Sequence, residues 1–287
     1  MKIAITGSSG LVGSSLIYAL KIQGWEILAL NRKDLSLDEK SLAMMLDGYN
    51  VVVNLAGAPI IKRWTPTYKE IIYSSRIHTT DKLVSALRLC THPPSLLISS
   101  SAVGIYPSVG GPFAEGDSEI SMGFLGKLAS EWEKAALNYQ DLGRVVILRF
   151  GIILSNKGGA LLKLLPLFRL GLGGAIGNGR QAFSWIHIGD IIKIIQFAIT
   201  ESTIKGVVNS VAPELTTNMG FTKKLALKLH RPALIPVPEF GLKMLFGEGA
   251  SVLTEGQLVM PERLLRAGFN FHFPDLEGAL DDILKGE

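Results

Sequence analysis

The 287 residues are 47% hydrophobic and 19% charged, which places the chain among proteins with a full core and far from disordered composition. A formal charge of +4, with no basic run and no interleaved aromatics, excludes nucleic-acid binding as the main function, and a single cysteine, Cys90, excludes an internal disulfide. The mean hydropathy of +0.31 is high, but Lys163, Pro166 and Arg169 interrupt the long apolar stretch, so no membrane partner is expected, and without a signal segment before the first strand a cytoplasmic location is expected.

Residues 2–6 are a short apolar run, followed by Gly7, Gly10 and Gly13 at three-residue spacing and an apolar helix face at 16–20. This pattern predicts strand, tight turn and helix. Gly7 lets the chain turn, Gly10 lets a phosphate approach the backbone, and Gly13 lets the helix pack close on the strand. Leu11 and Val12 open the helix, whose free N–H groups and partial positive charge suit a pyrophosphate, and Ser8 and Ser9 add hydroxyl donors. A second apolar run at 26–30 ends where an acid would grip a ribose 2′-hydroxyl. Asn31, Arg32 and Lys33 stand there instead, and these cations favour a 2′-phosphate, hence NADP. Asp34, turned outward, would read a ribose and admit NAD.

Residues 35–46 read as helical, and 50–55 as a strand ending in Asn54, Leu55, Ala56 and Gly57, small residues that either leave room for a ligand or pack a helix. A loop at 59–66 carries Arg63 and Trp64. One long helix is predicted over 68–89, with Arg76 inside it. The next strand, 96–99, runs into Ser99, Ser100, Ser101 and on to Tyr106, hydroxyls that either meet a substrate or cap the following turn. An acidic, Gly-rich loop at 110–123 is expected over the cleft mouth, then a helix at 124–139 and a buried strand at 145–150. This alternation predicts a doubly wound parallel sheet.

Beyond Ser155 the composition becomes Gly-rich and marks a second lobe. His187 reads as a packed histidine with a catalytic alternative, and Asp190 as the cap of a helix over 191–200. A strand at 207–211, a helix at 218–229, the apolar stretch 234–237 and helices at 261–267 and 274–284 complete the chain; the last two either seal the cleft or make a homodimer. No His, Cys and carboxylate cluster has metal-ligand spacing, so no metal is expected.

The order T-G-x-x-G-x-x-G at 6–13, N-L-A-G at 54–57 and S-S-S-A before Tyr106 resembles the extended short-chain dehydrogenase/reductases of the NAD(P)-dependent epimerase/dehydratase family. Arg63, Arg76, the segment GLGGAIGNGRQAFSWIHIGD and the tail GFNFHFPDLEGAL resemble an atypical epimerase subgroup with its own C-terminal domain. The resemblance implies an α/β fold: a Rossmann-type doubly wound parallel sheet with a smaller C-terminal α/β substrate lobe. The expected NADP-binding domain is 1–154, its sheet completed by parts of 180–212, and the substrate lobe is 155–287, with the family-specific domain at about 235–287.

The resemblance also implies that Gly7, Gly10, Gly13, Arg32, Leu55, Ala56 and Arg76 line NADP, joined by Ser8, Ser9, Leu11, Val12, Asn31 and Gly57, and that Ser101 takes the place of the catalytic hydroxyl. Typical members move a proton with Tyr-x-x-x-Lys while hydride passes to nicotinamide. No tyrosine of this chain has a lysine four residues on; Lys127 takes the lysine place, but Gly123 takes that of the tyrosine. The expected function is therefore an NADP-binding, epimerase/dehydratase-like oxidoreductase of an unknown small-molecule substrate, with a rebuilt acid/base set of Ser101, Tyr106 and Lys127. The alternative is a non-catalytic NADP-binding regulator or sensor, connected through relatives to cell division.

Overall fold

The computed structural model describes residues 1–285. Strands β1 (Lys2–Thr6), β2 (Glu26–Ala29), β3 (Val51–Asn54), β4 (Leu96–Ala102) and β5 (Arg144–Phe150) are parallel; β6 (Ile152–Leu154) and β7 (Trp185–His187) pair apart from them, and β8 (Gly206–Ser210) returns to the main sheet. The main order is β2-β1-β3-β4-β5-β8. It is a Rossmann order without the strand beyond β2, and its direction reverses between β1 and β3, the position where such sheets bind ligands.

The helices are α1 (Leu11–Ile22), α2 (Glu39–Leu46), α3 (Pro66–Ser74), α4 (Ile77–Arg88), α5 (Phe124–Leu137), α6 (Gly159–Arg169), α7 (Ile188–Thr200), α8 (Asn218–Lys228), α9 (Glu239–Phe246), α10 (Ser251–Thr254), α11 (Glu262–Arg266) and α12 (Leu276–Lys285). The runs at Ile3–Ile5 and Val51–Val53 are apolar on both faces because both are covered. Leu16 and Leu20 of α1 and Ile191, Ile194 and Ile195 of α7 pack on one face. On the other lie Leu42 and Leu46 of α2, Leu83 and Leu87 of α4, and Ala136 of α5. A separate core joins β6, β7, α6, α8 and α12 through Leu154, Trp185, Leu165, Phe221 and Leu280.

Two local expectations are corrected. The helix expected over 68–89 is two: Ser75 Oγ donates to Ile72 O (3.1 Å) and accepts the Ala58 N–H (2.9 Å), and the chain breaks there, leaving Arg76 at the mouth of α4. Asp190 does not cap α7, because the His187 side chain accepts the Gly189 N–H at that helix end. The Asp190 carboxylate, fully buried, instead accepts the N–H groups of His272 (2.8 Å) and Phe273 (2.9 Å) and so ties the C-terminal segment to α7.

Asp190→Ala therefore removes the buried acceptor of two part-buried amide donors, and a loss of about 2 kcal/mol is expected, read as a lower urea midpoint at unchanged m.

Candidate functional site

The cleft starts where β1 and β3 end. Thr6 Oγ1 donates to Asn54 Oδ1 (2.7 Å) and accepts the Leu55 N–H (3.1 Å), while Asn54 Nδ2 donates to Thr80 Oγ1 (2.8 Å). Trp132 Nε1 donates to the same threonine at 3.1 Å, so α4 and α5 are tied to the two strand ends. Gly7 follows in the left-handed region (φ +64°), and a Cβ there would lie 2.4 Å from Leu55 O. A Cβ at Gly13 would lie 2.3 Å from Gly7 O. At Gly10 only Gly7 O comes within reach, at 3.2 Å; that Cα faces open space, the cradle a diphosphate needs.

Around this turn the expected residues divide. Leu11 opens α1, and Val12 belongs to the core. Ser8 is spent on the scaffold, donating to Leu30 O (3.0 Å), whereas Ser9 is exposed. Asp34 is turned inward, not outward: its Oδ2 accepts the Asn31 N–H (2.7 Å), and Asn31 Oδ1 accepts the Lys33 N–H (2.7 Å). This leaves Arg32 and Lys33 as exposed cations of the loop, neither with a side-chain hydrogen bond or ion pair among the described residues.

On the far side, Ala56 is buried and Gly57 lies against Arg76, where a Cβ would meet the guanidinium at 3.2 Å. Arg76 donates to Ala58 O (3.0 Å) and Ile72 O (3.2 Å) and lies 5.2 Å from the Trp132 ring. Among the described residues no carboxylate pairs with it, and burial lowers its pKa to about 10, so it carries a full charge at neutral pH.

Ser101 and Tyr106 are brought together, but in a buried network. Ser101 Oγ donates to Glu133 Oε1 (2.7 Å); Arg149 clamps the same carboxylate through Nε and Nη2, both at 2.7 Å, and donates from Nη1 to Tyr106 OH (2.6 Å). The Tyr106 hydroxyl is near Ala114 O (2.9 Å) and Asn209 Oδ1 (3.0 Å), and the residue is 1% exposed. Burial raises the Tyr106 pKa against the opposing effect of Arg149. Burial is the largest influence on Arg149 and opposes its charge, but Glu133 and Tyr106 together outweigh it, leaving that pKa above its usual value. Lys127 stays outside this network, exposed on α5. The expected trio is therefore not one cluster.

Gly123, at the N-terminus of α5, lines a cavity of about 650 Å³ with Gly104, Trp64 and Phe124, closed from the C-terminal side by Lys243 and Glu248. Lys69 pairs with Glu248 and lies 5.3 Å from the Phe124 ring. The acidic loop expected over the mouth lines the cavity at its end, through Ser121 and Gly123, while its start docks on β8 and the C-terminal segment: Glu115 accepts the N–H groups of Asn209 (2.9 Å) and Arg263 (3.1 Å), and Phe113 pairs with Val259.

Residues 3–210 match the NAD dependent epimerase/dehydratase family. The chain belongs to that family. Residues 237–283 match a domain of unknown function, DUF1731. The mouse epimerase family protein SDR39U1 is 37% identical over 296 residues, covering 99% of this chain and all of that protein. An epimerase family protein of Staphylococcus haemolyticus is 37% identical over 98% of each chain. The crystal structure of human SDR39U1 (isoform 2) with NADPH superposes with a TM-score of 0.94 at 35% identity over all of both chains. A UDP-glucuronic acid 4-epimerase of Bacillus cereus, at 19% identity and a TM-score of 0.79, shares the fold.

Glu133, Arg149, Thr80 and Trp132 escaped the sequence reading of this epimerase-family chain. Two of them left a signal: Glu133 sits on the apolar face of α5 with Ala129 and Trp132, and Arg149 interrupts the apolar strand RVVILRF. A charge on a buried face needs a partner.

Glu133→Gln should cost about 3–5 kcal/mol by leaving Arg149 buried and uncompensated, while Glu133→Leu with Arg149→Met recovers much of that loss. Urea midpoints of the three proteins check it.

Proposed function

We propose that this protein binds NADP(H) across the β1/β3 switch point and acts as an epimerase-type oxidoreductase on a small molecule held in the Gly123 cavity. The observation that carries the reading is Arg76, a largely buried guanidinium with no carboxylate partner among the described residues, facing Gly57 beside the glycine turn. A buried cation needs an anion. The open Cα of Gly10 gives a diphosphate room, and Arg32 is free to meet a 2′-phosphate, in keeping with the human relative crystallised with NADPH. Bound there, the nicotinamide supplies or accepts a hydride.

The chain's own part is positioning. The Thr6–Asn54–Thr80 bonds hold the strand ends that face the cofactor, and Glu133, engaged by Arg149 at both oxygens, orients the Ser101 hydroxyl. Tyr106 we assign to the scaffold, since its hydroxyl is held on several sides. The second reading, an NADP-binding sensor that performs no chemistry, is favoured by one observation: glycine stands at the cavity wall where a relay tyrosine belongs.

NADPH should bind the nucleotide-stripped protein at least about tenfold more tightly than NADH, with Arg32→Ala removing the preference and Arg76→Met weakening both. Equal binding of both nucleotides by the unmodified protein overturns the assignment of Arg32. Gly123→Tyr tests the relay position. Gly123 has extended backbone (φ −74°, ψ 177°), and its Cβ would be 3.6 Å from Ser121 Oγ, an ordinary contact, so a side chain can start there without strain. With Lys127 one turn on, the new phenol should titrate below its ordinary pKa of about 10, and Lys127→Met should undo that shift in an ultraviolet pH titration.

A further inference from the structure

A second cavity, of about 470 Å³, opens between α1, the loop after β6, the end of β7 and α12. None of its lining residues belongs to the glycine turn, the Asn31–Arg32 loop, the Leu55–Arg76 wall or the Gly123 cavity. Its polar wall is Ser15, Ser155, Asn156, Lys157, His187, Asp282 and Lys285.

Their hydrogen bonds fix what this wall offers. His187 Nδ1 accepts the Gly189 N–H at 3.1 Å, and burial keeps the ring below its usual pKa, so the neutral imidazole carries its proton on Nε2. That N–H faces Asp282 Oδ2 at 3.4 Å, a long contact to a side chain that is 58% exposed. Ser155 is 1% exposed; its oxygen accepts the Lys157 N–H (3.0 Å), and its own proton goes to no acceptor among the described residues. Ser15 makes no side-chain hydrogen bond among them either. Lys157 and Lys285 stand exposed at the rim without a carboxylate partner among the described residues, and Lys157 Nζ is 6.0 Å from the Tyr18 ring. The positive end of the 13-residue helix α7 points to the same place.

Donors still outnumber acceptors: two hydroxyls, an imidazole N–H and two ammonium groups against the Asp282 carboxylate and the amide oxygen of Asn156, whose Nδ2 donates to Ile283 O (3.2 Å). The wall carries a net charge of one positive unit, from two lysines and one aspartate. We propose that this cavity is a binding site for a phosphate group, borne by a small monoester or by free phosphate, separate from the cofactor site. A phosphate has three terminal oxygens for this donor set where a carboxylate has two. It displaces Asp282 as the acceptor of the His187 Nε2–H and takes the idle Ser155 proton, while the lysines close over it. The volume leaves room for a short carbon skeleton behind the phosphate.

The test follows the His187 ring nitrogens of full-length protein by NMR with ¹⁵N-labelled histidine, at neutral pH, with and without NADPH. The His187 signals are assigned by their loss in His187→Gln. Glycerol 3-phosphate and inorganic phosphate are titrated separately, with glycerol as the control. A saturable shift of His187 is expected, weakened roughly fivefold by Lys157→Gln, tightened about threefold by Asp282→Asn and unchanged by Arg32→Ala. The ester binding more tightly assigns the site to monoesters, and the reverse assigns it to free phosphate. A shift that does not saturate, or one of equal strength in the Lys157 and Asp282 variants, overturns the site. Because the readout is at His187, its result stands whether or not NADPH binds at the glycine turn.

Discussion

The close approach of Gly7 to the Leu55 carbonyl is the constraint on which the cleft depends. Two parallel strands end side by side, and the turn after β1 passes so near the end of β3 that any side chain at Gly7 would strike backbone. Thr6 and Asn54 close the same junction by hydrogen bonding across it, and Thr80 and Trp132 extend the bond chain to α4 and α5. The phosphate-facing helix end, the small wall at Leu55–Gly57 and the arginine behind it thus share one rigid origin. A cofactor cleft needs that rigidity, since a misplacement of an ångström weakens every contact to a bound diphosphate.

A second group of buried polar atoms plays the same part deeper in the sheet. Glu133 and Arg149 neutralise each other between α5 and β5, and each holds a hydroxyl, Ser101 from β4 and Tyr106 from the turn beyond it. Through Asn209, whose Nδ2 donates to Met260 O (3.0 Å), the network reaches the C-terminal segment. Glu115 makes a parallel link to Asn209 and Arg263. The lobe that closes the Gly123 cavity is therefore fastened by buried hydrogen bonds to the strands carrying the cofactor cleft. A small error in that fastening would move Lys243 and Glu248 relative to Gly123.

The C-terminal segment works at two distances. Residues of α9 and the turn after it wall the Gly123 cavity, while α12, far along the chain, walls the cavity at His187. Asp190 is the link between α7 and the stretch that leads to α12. One fully buried carboxylate thus sets where Asp282 and Lys285 stand.

Much of the fold was legible in the residues because its signals are local. A β-branched run, three glycines at fixed spacing and an apolar helix face carry strand, turn and helix within one stretch, and their repetition along the chain carries the doubly wound parallel sheet. The basic loop at Asn31–Lys33 was legible for the same reason, since charge and position suffice there. The break at Ser75–Arg76 was not: nothing local separates α3 from α4, and the helix ends because Ser75 bonds to Ala58 on another segment. Nor was the fate of Asp34 or Asp190, each with several donors in reach, of which tertiary packing chose one. Ser101 and Tyr106 look in the sequence like hydroxyls awaiting a substrate. Only the fold brings Glu133 and Arg149 to them from 32 and 43 residues away, and it does so because a buried charge must find its opposite wherever in the chain that lies.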